Sequence, residues 1–497
     1  MARIKGSDDL FRLIHSLTKE EKGYFQKFAK RHTNAGNIYL KLFNQICQQS
    51  EFEEESIKNK FKNFSRTKVY LKEMIAESML VYHRKNHPHI RILNEAQQAH
   101  FLLSKGLYAE ALSVVEDALV ESEKMELFPI TRYLLRMKTE LKLHKFSQPE
   151  DVMQIHDSYK ESVELNLNKD LNLFHLELLN LDWFVQSRTH AVQTPKNSTT
   201  DAELMKEFPA LSFRAEMKRT EVMNWFRSSH NDREGIYKIT KKQVELALNF
   251  RDERDSSYYC VVALDNHILI CVDLKKFDEA LDCCNRLLSS ELKLPLYQNI
   301  AYVWGTLRKC IVFLLMGDAY EALQLIRENE RKLLLILSVK GQAPGERALR
   351  AFYIIKLVLL FANKKHKECW IYLNSILSIL NHNKTNIPNL EILQLMIQFE
   401  LGNFELLKNM AGRASKKISK ISPQNQVFKM LLDFFAEVTH ENSSELLKNL
   451  EKALKENEKA KGSASSYCFG IFSYLEWIRT SNYIAVKTQP HPDLIAL

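Results

Sequence analysis

Three histidines in the stretch YHRKNHPHI, namely His83, His87 and His89, are the one place along this chain where imidazoles cluster. Histidines four residues apart on a helix can share a metal ion, but Pro88 interrupts helical backbone here. Arg84, Lys85 and Arg91 also surround the cluster with positive charge, which opposes a cation. His440-Glu441 lacks the second histidine of a zinc-hydrolase helix. GQAPGERAL (341–349) places glycines ahead of a helix without the Gly-Lys-Ser/Thr ending that supplies a phosphate loop with its lysine and magnesium ligand. No G-x-S-x-G nucleophile elbow occurs. The eight cysteines (Cys47, Cys260, Cys271, Cys283, Cys284, Cys310, Cys369, Cys468) have no C-x-x-C spacing and mostly sit in apolar runs. They are expected to be reduced core thiols, with neither a disulfide framework nor a zinc cluster. With 13 glycines in 497 residues, oxyanion holes and phosphate cradles made of free backbone N–H groups are hard to assemble. The expectation is a protein with no catalytic residue, no metal and no cofactor, and hence not an enzyme.

The second chemistry the residues suggest is contact with negative charge. Residues 1–91 carry 18 Lys and Arg against 10 Asp and Glu, and so hold nearly all of the chain's formal net charge of +9. Between Ile57 and Arg91 only Glu73 and Glu77 offset nine basic residues. Within that segment, SIKNKFKNFSRTKVYLKEMI (56–75) has the rhythm of a helix-turn-helix: an apolar helix, a polar turn at Asn63, then Ser65-Arg66-Thr67-Lys68 opening a second helix. Lys58, Lys60, Lys62, Arg66, Lys68 and Lys72 are therefore the candidate contacts to an acidic partner or to nucleic acid. The turn lacks its usual glycine, and a basic patch supplies only sequence-independent attraction. A solvated basic face on a structural cap is the competing reading. A second basic run, KNMAGRASKKISKIS (408–422), reads either as an extension of an acidic-partner surface or as the outward face of one repeat.

The elements that must position these residues are helices. Glycine and the 11 prolines are both scarce, and helices exclude both residues whereas sheets and tight turns consume glycine. The stretches KGLYAEAL (105–112), LKKFDEAL (274–281) and MGDAYEAL (316–323) repeat one pattern between apolar runs. In the first, Gly106 ends a helix, Tyr108 packs in the elbow, and small Ala111 lets the next helix lie close. The second copy has Lys275 where the glycine was. Each copy predicts an antiparallel helical hairpin. Glu279 to Glu321 spans 42 residues and Glu321 to Glu368 spans 47, near the roughly 40–47 of long-helix repeats. Such hairpins bury their apolar faces only by stacking, so the expected fold is an all-α solenoid. Thr18 with Glu21 forms a capping box, and Ser50 with Glu53 suggests another.

Three parts are expected: a basic helical N-terminal domain or cap at 1–91, the solenoid at 92–480, and a loosely ordered tail at 481–497. The polar break at 189–203 is the best candidate for a mobile loop. AFYIIKLVLLFAN (351–363) is too short to cross a membrane and carries Lys356, so it reads as a buried helix. With no signal-peptide core at its start, the chain is expected to be cytoplasmic.

The elbows resemble the turn of the tetratricopeptide repeat, whose G-x-Y-x-E-A pattern is matched in full by Gly106, Tyr108, Glu110 and Ala111. The aromatic and glycine positions of that repeat's first helix are missing upstream, so the likeness is to the hairpin alone. Ser16-Leu17-Thr18-Lys19, Glu21-Lys22 and Tyr24-Phe25 resemble the start of a group of uncharacterised tetratricopeptide-like helical-repeat proteins of Bacteroidetes-type bacteria. That resemblance implies a solenoid and no particular activity. The function expected is a scaffold presenting a groove to a protein or peptide. The alternative is a nucleic-acid-associated regulator with a helix-turn-helix-like N-terminal region and a solenoid sensor.

Overall fold

A computed structural model describes residues 9–32, 38–49, 54–61, 63–84, 88–144, 149–189, 209–230, 232–249, 255–289, 295–337, 345–380, 387–422, 424–461, 467–469, 471–481 and 483. The chain forms two compact units, Met1–Leu178 with Phe208–Glu216, and Leu179–Glu207 with Met217–Leu497.

In the first unit, α1 (Asp9–Ser16), α2 (Lys19–His32), α3 (Ile38–Gln48), α4 (Glu54–Lys58) and α5 (Phe64–His83) enclose one core. Ile14, Phe25, Leu42, Phe43, Leu71 and Ile75 fill it, with the Phe25 and Phe43 rings 4.5 Å apart. The capping box forms as the sequence predicts. Thr18 N–H donates to Glu21 Oε2 at 2.7 Å and Glu21 N–H donates to Thr18 Oγ1 at 3.2 Å. The second proposed box, Ser50 with Glu53, lies outside the described residues. A separate core joins α6 (Pro88–Ser104), α7 (Tyr108–Lys124) and α8 (Phe128–Leu143). The 41-residue α9 (Pro149–Thr189) follows.

Continuing the chain are α10 (Phe213–Ser229), α11 (Arg233–Asn249), α12 (Asp255–Asp273), α13 (Phe277–Ser289), α14 (Pro295–Leu315), α15 (Ala319–Leu337), α16 (Gly345–Ala362), α17 (His366–Leu380), α18 (Ile387–Glu400), α19 (Phe404–Ile421), α20 (Gln426–Glu437) and α21 (Ser443–Lys461). In the second unit consecutive helices pack as hairpins, and helices two apart also touch: α12 on α14, α14 on α16, α18 on α20. That next-but-one packing is the translational order of an α-solenoid, and a single apolar core runs from Val303 to Ile478. Lys356 is held inside α16 by Glu330 Oε1 at 2.5 Å, over the Tyr372 ring. Among the described residues no helix is long and apolar enough to cross a membrane.

The repeated eight residues are one backbone device. At each elbow a residue takes the left-handed conformation: Gly106 (φ 75°), Glu126 (52°), Lys275 (58°), Gly317 (93°), Lys364 (58°) and Gly402 (78°). The residue after it donates its N–H back five positions, as in Leu107 to Leu102, Leu127 to Ser122, Lys276 to Cys271, Asp318 to Phe313, Lys365 to Leu360 and Asn403 to Gln398. This Schellman closure satisfies carbonyls that the ending helix leaves open. Five residues after each left-handed position lies a fully buried contact residue: Ala111, Thr131, Ala280, Ala322, Cys369 and Leu407. The elbow acid Glu368 ties its hairpin to the one before it, with Arg327 Nη2 donating to both Glu368 oxygens at 3.0 Å. Glu126 uses its carboxylate differently, accepting from the N–H groups of Phe213 (2.7 Å) and Arg214 (2.8 Å) at the start of α10.

The C-terminal segment departs from the hairpins. A two-residue antiparallel ribbon, β1 (Tyr467–Cys468) with β2 (Phe472–Ser473), leads into α22 (Tyr474–Thr480). It folds back on α18, whose Asn389 Oδ1 accepts from Phe469 N–H and Tyr474 Oη–H. That cover explains why α18 is buried nearly all round. Of the expected loose tail, Ser481 is buried and Tyr483 packs on Phe399 and Phe404, while 482 and 484–497 lie outside the described residues.

Because nothing stands within 4 Å of a Cβ built at Gly106, replacing it tests backbone strain alone. Gly106→Ala is expected to destabilise by about 1 kcal/mol and Lys275→Gly to stabilise by up to about 1 kcal/mol, read from urea unfolding followed by circular dichroism.

Candidate functional site

The basic segment places its predicted residues around the start of α5. Asn63 sits in the left-handed conformation (φ 55°) just before the helix, filling the role of the absent turn glycine. The helix before it, α4, has only five residues. Lys58, Lys60, Arg66 and Lys72 are exposed. Lys68 is half-buried, with Nζ 3.1 Å from Glu54 Oε1 and close over the Phe64 ring. Arg66 donates to Tyr70 Oη at 3.2 Å. Thr67 is buried and faces the core instead of solvent. Lys62 lies outside the described residues. His83, from the histidine cluster, pairs with Glu21 Oε1 at 2.8 Å, so it serves the fold.

Two polar clusters in the second unit lie apart from the predicted basic segment. The first lines a cleft of about 170 Å³ walled by Phe361, Trp477, Lys364, His366, Glu400 and Ser481. Glu400 is a buried carboxylate whose Oε1 accepts from Trp477 Nε1 (2.8 Å) and Ser481 Oγ (2.7 Å). Neither ring nitrogen of His366 has a hydrogen-bond partner, and Glu400 Oε2 stands 4.0 Å off. Burial, with Lys364 adding to it, pushes the His366 imidazole down to about 4. The ring is therefore neutral at pH 7, offering one donor and one acceptor to the cleft.

The second cluster lies beneath the elbow at Lys275. Tyr237 and Thr240 come from α11, His267 and Cys271 from α12, and Glu279 from α13. His267 Nε2 is 3.2 Å from Glu279 Oε1 and 3.6 Å from Cys271 Sγ. Tyr237 Oη–H donates to Glu279 Oε2 at 2.8 Å, and Thr240 Oγ1 meets His267 Nδ1 at 2.8 Å. Burial lowers the His267 imidazole and pushes the Cys271 thiol up to about 12. Hydrogen bonding to Glu279 pushes Tyr237 up to about 12, and the Tyr237 and His267 bonds hold Glu279 low against its desolvation.

No family model, curated protein or solved structure matches the chain. Its chemistry is thus read from these residues alone. A signal for the second cluster is present in the sequence: His267 and Cys271 stand four apart on one helix face, and Glu279 is the acid of the repeated elbow. The first cluster carries no such signal, since Glu400 meets its partners 77 and 81 residues further on.

The His366 ring gives a pH test. Unfolded, it takes a proton near its ordinary 6.5; folded, among Glu400, Lys364 and Glu476, it takes one only near 4. Its contribution to stability is therefore full above pH 6.5 and declines toward pH 4, by up to about 3 kcal/mol. The slope of melting temperature against pH across that window is expected to be shallower in His366→Gln than in the parent chain.

Proposed function

We propose that this protein is a non-enzymatic scaffold that captures an amphipathic helix of another protein. The observation carrying this reading is a row of exposed apolar side chains on α9: Leu167, Leu171, Phe174 and Leu178 are 41–51 % exposed. Their spacing of four, three and four residues aligns them in one stripe, the seam a partner helix fills in helix-to-helix docking. Leu173 and Leu176, on another side of the same helix, are buried in the first unit. The helix thus has an apolar face beyond the one its own unit covers. Exposed Glu161, Glu164 and Glu177 flank the stripe, which favours a partner with basic flanks. The eight free cysteines fit the reducing cytoplasm.

The test is site-specific photocrosslinking. A benzophenone amino acid at Leu171 or Phe174 is expected to crosslink in cells to a segment with apolar residues three and four apart and Lys or Arg beside them. Crosslinks no more frequent than from a probe at the exposed Lys416, on α19, would reject the reading.

A second reading, nucleic-acid association, draws on the exposed Lys58, Lys60, Arg66 and Lys72 and on the left-handed Asn63 turn that sets Arg66 in the first turn of α5. Lys68 contributes less, being paired with Glu54. On that reading duplex DNA binding, followed by fluorescence anisotropy, persists near physiological salt and is abolished in Arg66→Glu/Lys72→Glu. Binding that fades with salt and ignores the double substitution would leave only a solvated basic face.

A further inference from the structure

We infer that His267, Cys271 and Glu279 form a binding site for a divalent, thiophilic metal ion, with zinc the best match. The three ligand atoms, His267 Nε2, Cys271 Sγ and Glu279 Oε1, all lie within 4.8 Å of one another. Zinc bonds of about 2.0–2.1 Å to nitrogen or oxygen and about 2.3 Å to sulfur, opened to a tetrahedral angle, set the ligand atoms about 3.3 Å (N to O) and about 3.6 Å (N to S) apart. The observed separations are 3.2 Å and 3.6 Å. Two of the three separations are thus already those of tetrahedral coordination, and Cys271 Sγ lies within 4.8 Å of the Glu279 oxygen.

The surroundings agree. His267 Nδ1 meets Thr240 Oγ1, whose hydroxyl also reaches the Tyr237 carbonyl at 3.1 Å. When a metal takes the place of the Nε2 proton that faces Glu279 Oε1, the remaining Nδ1–H donates to Oγ1 while that hydroxyl donates to the carbonyl, the tautomer a metal-ligating Nε2 needs. Tyr237 Oη–H fixes the other Glu279 oxygen. Such outer partners orient metal ligands and raise their basicity. Cys271 and His267 are buried, while the Glu279 side chain is 31 % exposed and provides the way in. Zinc displaces the Cys271 proton to solvent as the sulfur–metal bond forms. Thiolate and carboxylate together then neutralise the ion. Lys241 Nζ, 3.8 Å from Glu279 Oε1, is on a half-exposed side chain that can swing into solvent. Water takes the fourth position.

The test uses the full chain, stripped with a chelator and titrated with Zn²⁺ or Co²⁺. One equivalent of Co²⁺ is expected to bind with a sulfur-to-cobalt charge-transfer absorption that is lost in Cys271→Ser and retained in Cys260→Ser. Tyr237→Phe, which keeps the ligands, is expected to weaken zinc binding by about 10–100-fold. If Cys271→Ser does not fold, Glu279→Gln replaces it, with loss of tight zinc binding as the expected result. Failure of the parent chain to take up a stoichiometric metal at micromolar concentration, or a charge-transfer band indifferent to Cys271→Ser, overturns the assignment. The cluster is then a Thr240–His267–Glu279 hydrogen-bond chain. None of these readouts depends on the α9 stripe.

Discussion

Six described elbows of this protein depend on one backbone closure: a single residue held in the left-handed conformation while the next N–H reaches back five positions. It satisfies carbonyls that the ending helix leaves open and turns the chain back so that the following helix lies against it. The fully buried residue at the same distance into each following helix, from Ala111 to Leu407, is where the two helices touch. Stacking then follows, because a hairpin has apolar surface on both sides and only a neighbour can cover it.

Once the elbow is set, its acidic residue becomes available to whatever the neighbouring hairpin presents. Glu110 faces solvent, Glu368 binds Arg327, and Glu279 meets Tyr237 and His267. Equivalent positions thus acquire different chemistry from their surroundings. The same divergence explains Glu126, whose left-handed backbone carries a strain that glycine would avoid. Its two charge-assisted hydrogen bonds to the start of α10 offset that strain.

The C-terminal end follows another logic. Glu400 closes a helix that is buried nearly all round, and a buried carboxylate is unfavourable unless donors surround it. Trp477 and Ser481 are those donors, delivered by a ribbon and a short helix that fold back over α18. A cover with this chemistry suits only the position that holds the acid, so it fixes where the end of the chain docks. His366, without a hydrogen-bond partner on either nitrogen, faces the cleft beside this cover.

What the amino-acid sequence determined by itself is local. Scarce glycine and proline, the Thr18–Glu21 box, the turn at Asn63 and the elbows at Gly106, Lys275 and Gly317 all rest on interactions within about six residues, and all are legible there. The elbow at Glu126, written without glycine or the Tyr-x-Glu-Ala pattern, shows only in the folded chain, because a left-handed backbone leaves no mark on a Glu. The polar clusters were decided by tertiary structure. Tyr237 reaches Glu279 across 42 residues and Trp477 reaches Glu400 across 77, distances at which neither helical period nor turn chemistry carries information. Only the stacking of hairpins brings such groups together, and with them the burial that sets their charge.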